Sequence, residues 1–105
     1  MSEHFNKLTP AEAERIALLM EECGEVVQIC GKILRHGFES RHPTGTTTNR
    51  TELAKELGDV EAAVMIMNNT GDIADCMVKG NAILKLGKVH HYMHHQPDFA
   101  FDKPQ

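Results

Sequence analysis

The sequence predicts an all-α protein, a helical bundle formed by residues 1–95 as one domain and followed by a short tail, 96–105. Apolar residues recur at three- and four-residue spacing through two long segments, each preceded by helix-opening residues. Aromatic residues make up 5% of the chain and Trp is absent, so Ala, Leu, Ile, Val and Met supply most of a 41% hydrophobic content. Helical bundles are packed from such side chains. A length of 105 residues leaves no room for a second domain. A core this thin gains stability by association, and a homodimer or homotetramer is expected.

The first helix opens at Thr9-Pro10-Ala11-Glu12. Thr9 is placed as the cap, Pro10 occupies the first turn and Glu12 completes a capping box. Ile16, Met20, Cys23, Val27, Cys30 and Leu34 then recur at helical spacing, with Leu19, Val26 and Ile33 beside them, to about Arg35. Gly24 and Gly31 each weaken this helix by roughly 1 kcal/mol relative to Ala, and close approach of another helix accounts for Gly24. Residues 36–50 read as a loop, with two Gly, Pro43 and the Thr46–Thr48 run. Its glycines do not form a nucleotide-cradling Gly-Lys-Ser/Thr loop. Arg35, Arg41, His42 and Arg50 place positive charge at or beside it, within reach of phosphates, although solvated surface is the ordinary role of such residues.

Asn49 begins the second helix, with Glu52 forming a second capping box. Leu53, Leu57, Val60, Val64 and Met67 give its apolar stripe, and Asn68-Asn69-Thr70-Gly71 ends it. A third helix is expected from about Asp72, with Ile73, Met77, Ile83, Leu84 and Leu86 on its apolar side. Asn81, Lys85, Lys88 and Tyr92 share one of its rows and together could take a polyphosphate. In His90-His91-Tyr92-Met93-His94-His95 the i,i+4 His pairs have metal-ligand spacing, but a polar helix end is the simpler reading. The tail reads as extended or disordered, with Phe99 and Phe101 available to anchor it on a neighbour.

The chemistry is carried by acids. Glu21-Glu22-Cys23-Gly24-Glu25-Val26 is echoed 34 residues later by Glu56-Leu57-Gly58-Asp59-Val60. On helices, Glu22 and Glu25 share one side, and so do Glu56 and Asp59. The first row continues through Leu18 and Ile29. The second continues through Ala63 and Ile66, with Glu52 one turn before. Acids thus interrupt otherwise apolar rows. Crowded, partly buried carboxylates need a cation or must hold protons, and hard oxygen ligands suit Mg²⁺ or Mn²⁺. A solvated acidic face explains one such motif; two matching ones on helices able to pack together favour a metal site.

The net charge of −4 argues against a duplex-binding surface. Cys23, Cys30 and Cys76 form no C-x-x-C pair, and Cys23 and Cys30, seven apart on one helical face, read as buried reduced thiols. Met1–Lys7 lacks the apolar core of a signal peptide and no apolar run approaches a membrane span, so a cytoplasmic location is expected.

The paired E-E-x-x-E at Glu21–Glu25 and E-x-x-D at Glu56–Asp59, set within A-E-R-I-A-L-L-M-E-E-C-G-E-V and L-A-K-E-L-G-D-V, resemble the MazG-like all-α nucleoside triphosphate pyrophosphohydrolases. The resemblance runs from about Ala11 to His95. It implies four-helix bundles completed by helices of two subunits, often in a dimer of dimers. It further implies that Glu22, Glu25, Glu56 and Asp59 ligate Mg²⁺, with Mn²⁺ as an alternative, and that Glu21 supports a second metal or orients water. The implied reaction splits a (deoxy)nucleoside triphosphate between the α and β phosphates into monophosphate and pyrophosphate, for nucleotide pool control or house-cleaning. Lys85 and Lys88 would then stabilise the departing pyrophosphate and Asn81 would bond phosphate or sugar, provided the third helix faces the acids. Two other readings exist. A di-iron carboxylate bundle requires Glu-x-x-His on helices, and the one match, Glu39-Ser40-Arg41-His42, falls in the loop. A non-catalytic helical adaptor would use the acids only as a binding surface.

Overall fold

Thr9 starts the first helix as its spacing to Glu12 requires. The Thr9 hydroxyl accepts the Glu12 N–H at 3.1 Å and the Glu12 carboxylate accepts the Thr9 N–H at 2.8 Å, which satisfies two otherwise unbonded donors. In the computed structural model, which describes residues 6–102, this helix, α1, spans Pro10–His36. Gly37 ends it with φ of 87°, a conformation that favours glycine, and donates its N–H to the Ile33 carbonyl at 2.7 Å. α2 spans Asn49–Asn69, α3 spans Asp75–Val89, and a 3-10 turn covers Asp98–Phe101. No strand forms among the described residues, so the all-α class holds. The expectations for Met1–Phe5 and for residues 103–105 lie outside the described part.

The α1–α2 connection is ordered by its own backbone. Arg50 N–H reaches the Phe38 carbonyl at 2.8 Å and Asn49 N–H the Ser40 carbonyl at 2.9 Å, while Arg41 and Thr48 form an isolated antiparallel bridge. The cap of α2 lies one residue earlier than the sequence suggests. Thr48, in extended backbone, accepts the Thr51 N–H at 3.2 Å. The Asn49 amide instead donates to the Gly37 carbonyl at 3.1 Å and is buried there. Glu52 accepts from the Thr47 hydroxyl at 2.6 Å in place of closing a capping box.

α1 and α2 form an antiparallel hairpin, tied at one end by Asn49 to Gly37 and at the other by Arg15 to Asp72. Arg15 Nε and Nη2 donate to the two Asp72 oxygens at 2.5 and 2.9 Å. This fork holds the Asp72 carboxyl below its ordinary range against the opposing effect of burial. Stability from this source is complete above the unfolded carboxylate pKa and is lost as pH falls through the lowered folded value. Among the described residues, Ile29 of α1 and Ala63 and Met67 of α2 are the buried apolar ones.

The pair with Arg15 also moves the start of α3. Asp72 is occupied, and the N–H groups of Asp72 and Ile73 return to the Met67 carbonyl, so α3 begins at Asp75, whose N–H bonds Asn68 Oδ1 at 2.8 Å. α3 buries none of its residues and packs only sparsely on the hairpin. It ends at Val89, so His90–His95 lie in turns beyond it and Tyr92 is off the helical row of Asn81, Lys85 and Lys88. The tail is not simply extended: its 3-10 turn sets Phe101 edge-on to His90, with ring centroids 5.8 Å apart.

Much apolar surface remains uncovered. Met20, Val27 and Leu34 are 70%, 72% and 88% exposed, and Cys23, Cys30 and Cys76 are exposed rather than buried. Ile16, Met20, Cys23, Val27, Cys30 and Leu34 therefore form an unbroken seam on the side of α1 turned away from α2. Gly24 has no neighbour within 4 Å of an added Cβ, so nothing among the described residues makes the close approach expected of it. The radius of gyration of 17.4 Å compares with about 13 Å for a closed domain of this length. No helix among the described residues is long and apolar enough to cross a membrane.

Candidate metal centre

The site is built where α1 and α2 face each other. Glu22 and Glu25 are one turn apart on α1, and Glu56 and Asp59 one turn apart on α2. Antiparallel packing brings the two pairs together, each contributing a carboxylate oxygen such that all four lie within 4.8 Å of one another. Octahedral oxygen ligands about 2.1 Å from Mg²⁺ place opposite oxygens roughly 4.2 Å apart, so the four carboxylates need only a small inward movement to share one ion. The apolar rows hold only next to the acids: Ile29 and Ala63, each one turn beyond its acid pair, are buried, whereas Leu18 is half-buried and Ile66 exposed.

The carboxylates of the site are crowded and incompletely compensated, and could hold a cation. Glu22 Oε2 and Glu56 Oε2 are buried and have no hydrogen-bond partner, an arrangement that costs free energy in a carboxylate. The Glu56 side chain is 15% exposed. Its carboxyl is held above the ordinary range, first by a hydrogen bond shared with Glu25, then by loss of hydration and by the charge of Glu25, with Lys55 pulling the other way and Asp59 adding to the rise. Lys55 is the local counter-ion, donating to Asp59 at 2.9 Å and lying 3.6 Å from Glu56. A divalent ion held by these residues would compensate the crowded carboxylates and displace protons from them. The donor set, oxygen alone with no imidazole or thiolate, suits Mg²⁺ or Mn²⁺ better than zinc.

A groove of about 880 Å³ leads from this quartet. Glu25, Ile29, Lys32 and Arg35 of α1 and Glu52, Lys55 and Glu56 of α2 line it, together with Arg41, His42 and Pro43 of the loop. Arg41 is thus placed in the wall, its Nη1 donating to the Thr46 carbonyl at 2.7 Å. Arg50 is held elsewhere, 2.7 Å from Glu39 and stacked 4.4 Å from the centre of the Phe38 ring. Glu21 is exposed, beside the quartet but outside it. Asn81, Lys85, Lys88 and Tyr92 do not line the groove, and the Asn81 amide donates to the Met77 carbonyl at 2.8 Å. Sequence reasoning missed Lys32 and Lys55. Lys32 lies two turns beyond Glu25 on one face, and Lys55 is spaced i,i+4 from Asp59, so both were available to the same row argument that found the acids.

Comparison with family models, with curated proteins and with solved structures returned no match.

Proposed function

We propose that the protein is a homo-oligomeric, Mg²⁺-dependent nucleoside triphosphate pyrophosphohydrolase of the MazG-like kind, acting on the cytoplasmic nucleotide pool. The observation that carries this reading is the convergence of Glu22, Glu25, Glu56 and Asp59 with two buried oxygens left unbonded. The α phosphorus of a triphosphate is shielded by anionic oxygens, and a divalent ion supplies charge neutralisation and water activation there. The four carboxylates would hold the cation, which would neutralise and position the substrate's anhydride beside Glu25 and Glu56 in the groove. Glu21, exposed one residue from Glu22, is assigned to orienting the attacking water. The groove accepts the elongated anion, with Arg41 in its wall. Asn81, Lys85 and Lys88 act only if α3 of a second copy is brought over the acids, since those of the same chain do not line the groove.

A panel of canonical and modified NTPs and dNTPs with Mg²⁺ is expected to yield monophosphate and pyrophosphate. Diphosphate with orthophosphate as primary products would refute the bond assignment, and absence of turnover would leave an adaptor.

The uncovered α1 seam supports the oligomer. Val27→Glu combined with Leu34→Glu places two charges in an apolar strip with 4-3-4-3-4 spacing, the pattern by which helices pack on each other. Light scattering should then show the mass falling to that of one chain while helical content is kept. An unchanged mass would exclude this face as the interface.

A further inference from the structure

We infer that Lys32, Arg35 and Arg41 form an anion site in this groove, built within a single chain, and that it holds the pyrophosphate half of the substrate. The assignment of pyrophosphate rests on the hydrolase reading above; the anion site itself rests on the groove. Lys32, Arg35 and Arg41 line one cavity, and none has an acidic partner among the described residues. The other two cations near the loop are already neutralised, Arg50 by Glu39 at 2.7 Å and Lys55 by Asp59 at 2.9 Å. Like charges brought together without partners repel, and an anion placed among them relieves that repulsion.

The wall is constructed rather than merely solvated. Backbone bonds from Asn49 and Arg50 fold the loop onto the end of α1, and the Gly45 N–H closes a turn on the His42 carbonyl at 2.8 Å. The Thr46 carbonyl then fixes the Arg41 guanidinium and leaves its other donors free for a phosphate. Arg35 lies back along α1, its Nη1 3.5 Å from where a Gly31 side chain would begin. That position carries its charge one turn toward the acids.

Lys32 is seven residues from Glu25 on the same helix and Arg35 ten, and side chains on a helix lean toward its N-terminus, so both cations reach back toward the acids. With the α phosphate at the carboxylates, the β and γ phosphates extend toward the wall that Lys32, Arg35 and Arg41 line. The departing group is thereby held by the same chain that supplies the acids, while the Lys85 and Lys88 row is free for other contacts.

The test is calorimetric binding of inorganic pyrophosphate to the full chain in EDTA, which removes any contribution from a cation at the acids. Lys32→Ala and Arg41→Ala should each weaken binding by about tenfold, the effect of losing one charge-assisted hydrogen bond. Arg41→Lys should restore part of the affinity, and Lys79→Ala, which removes a cation outside the groove, should bind as the wild type does. Pyrophosphate binding insensitive to Lys32 and Arg41, or weakened as much by Lys79→Ala, would overturn the inference. Lys32-dependent binding in a protein that turns over no triphosphate would support the anion site and defeat the hydrolase reading alone.

Discussion

Glu25→Gln, and separately Asp59→Asn, should lower triphosphate hydrolysis by more than about 100-fold, since even residues that only orient metal ligands are worth 10–100-fold. Each change removes one negative charge from a quartet whose oxygens lie within 4.8 Å while keeping the side chain's size. Glu25 also shares the hydrogen bond that raises the Glu56 carboxyl, so its neutral amide relieves repulsion. Circular dichroism should therefore report a folded chain, at least as stable as wild type without divalent ions. Full activity in either variant would contradict a role as ligand.

The second large effect is thermal. A cation at a hundred times its dissociation constant stabilises the folded state by about 2.7 kcal/mol, which for a domain of this size raises the melting temperature by about 10 °C or more. Glu56→Gln should abolish that gain and, in EDTA at neutral pH, melt higher than wild type because a buried repulsive charge is gone. The pH dependence fixes the sign. The folded-state pKa of Glu56 is raised, so the folded chain keeps a proton that the unfolded chain has lost. The Glu56 contribution to cation-free stability is then complete below the ordinary carboxylate pKa and is lost as pH rises through the raised value. Cation binding has the opposite trend, weakening as pH falls through the same window because protons compete for the same oxygens. Differential scanning fluorimetry from pH 4 to 8, with and without Mg²⁺, should show the two curves diverging as pH rises; parallel curves would separate Glu56 from the cation.

Local rules made part of this structure legible. Thr9 and Glu12 define a capping box through three-residue spacing, and it forms. The acid pairs were legible for the same reason: i and i+3 share a helix face in any helix, and burial of Ile29 and Ala63 follows from their rows. Features decided by distant partners were not legible. Thr48 and Asn49 are both competent caps, and the Gly37 carbonyl, twelve residues from Asn49, decides between them. Asp72 suits a helix start until Arg15, 57 residues away, takes its carboxylate. Periodicity finds the stripe from Ile16 to Leu34 without saying whether this chain or another covers it, so Cys23 and Cys30 read as buried when they face outward. The groove escaped notice because its basic wall depends on how residues 37–48 fold, which the local Gly, Pro and Thr signals do not specify.

Titration of Mn²⁺ into the full-length chain, followed by calorimetry, most directly tests whether the four acids hold a divalent ion. Saturable binding that is lost in Glu25→Gln and weakens on acidification is the expected result. Equal binding by the variant and the wild type, or none by either, would show that these carboxylates are not a metal centre.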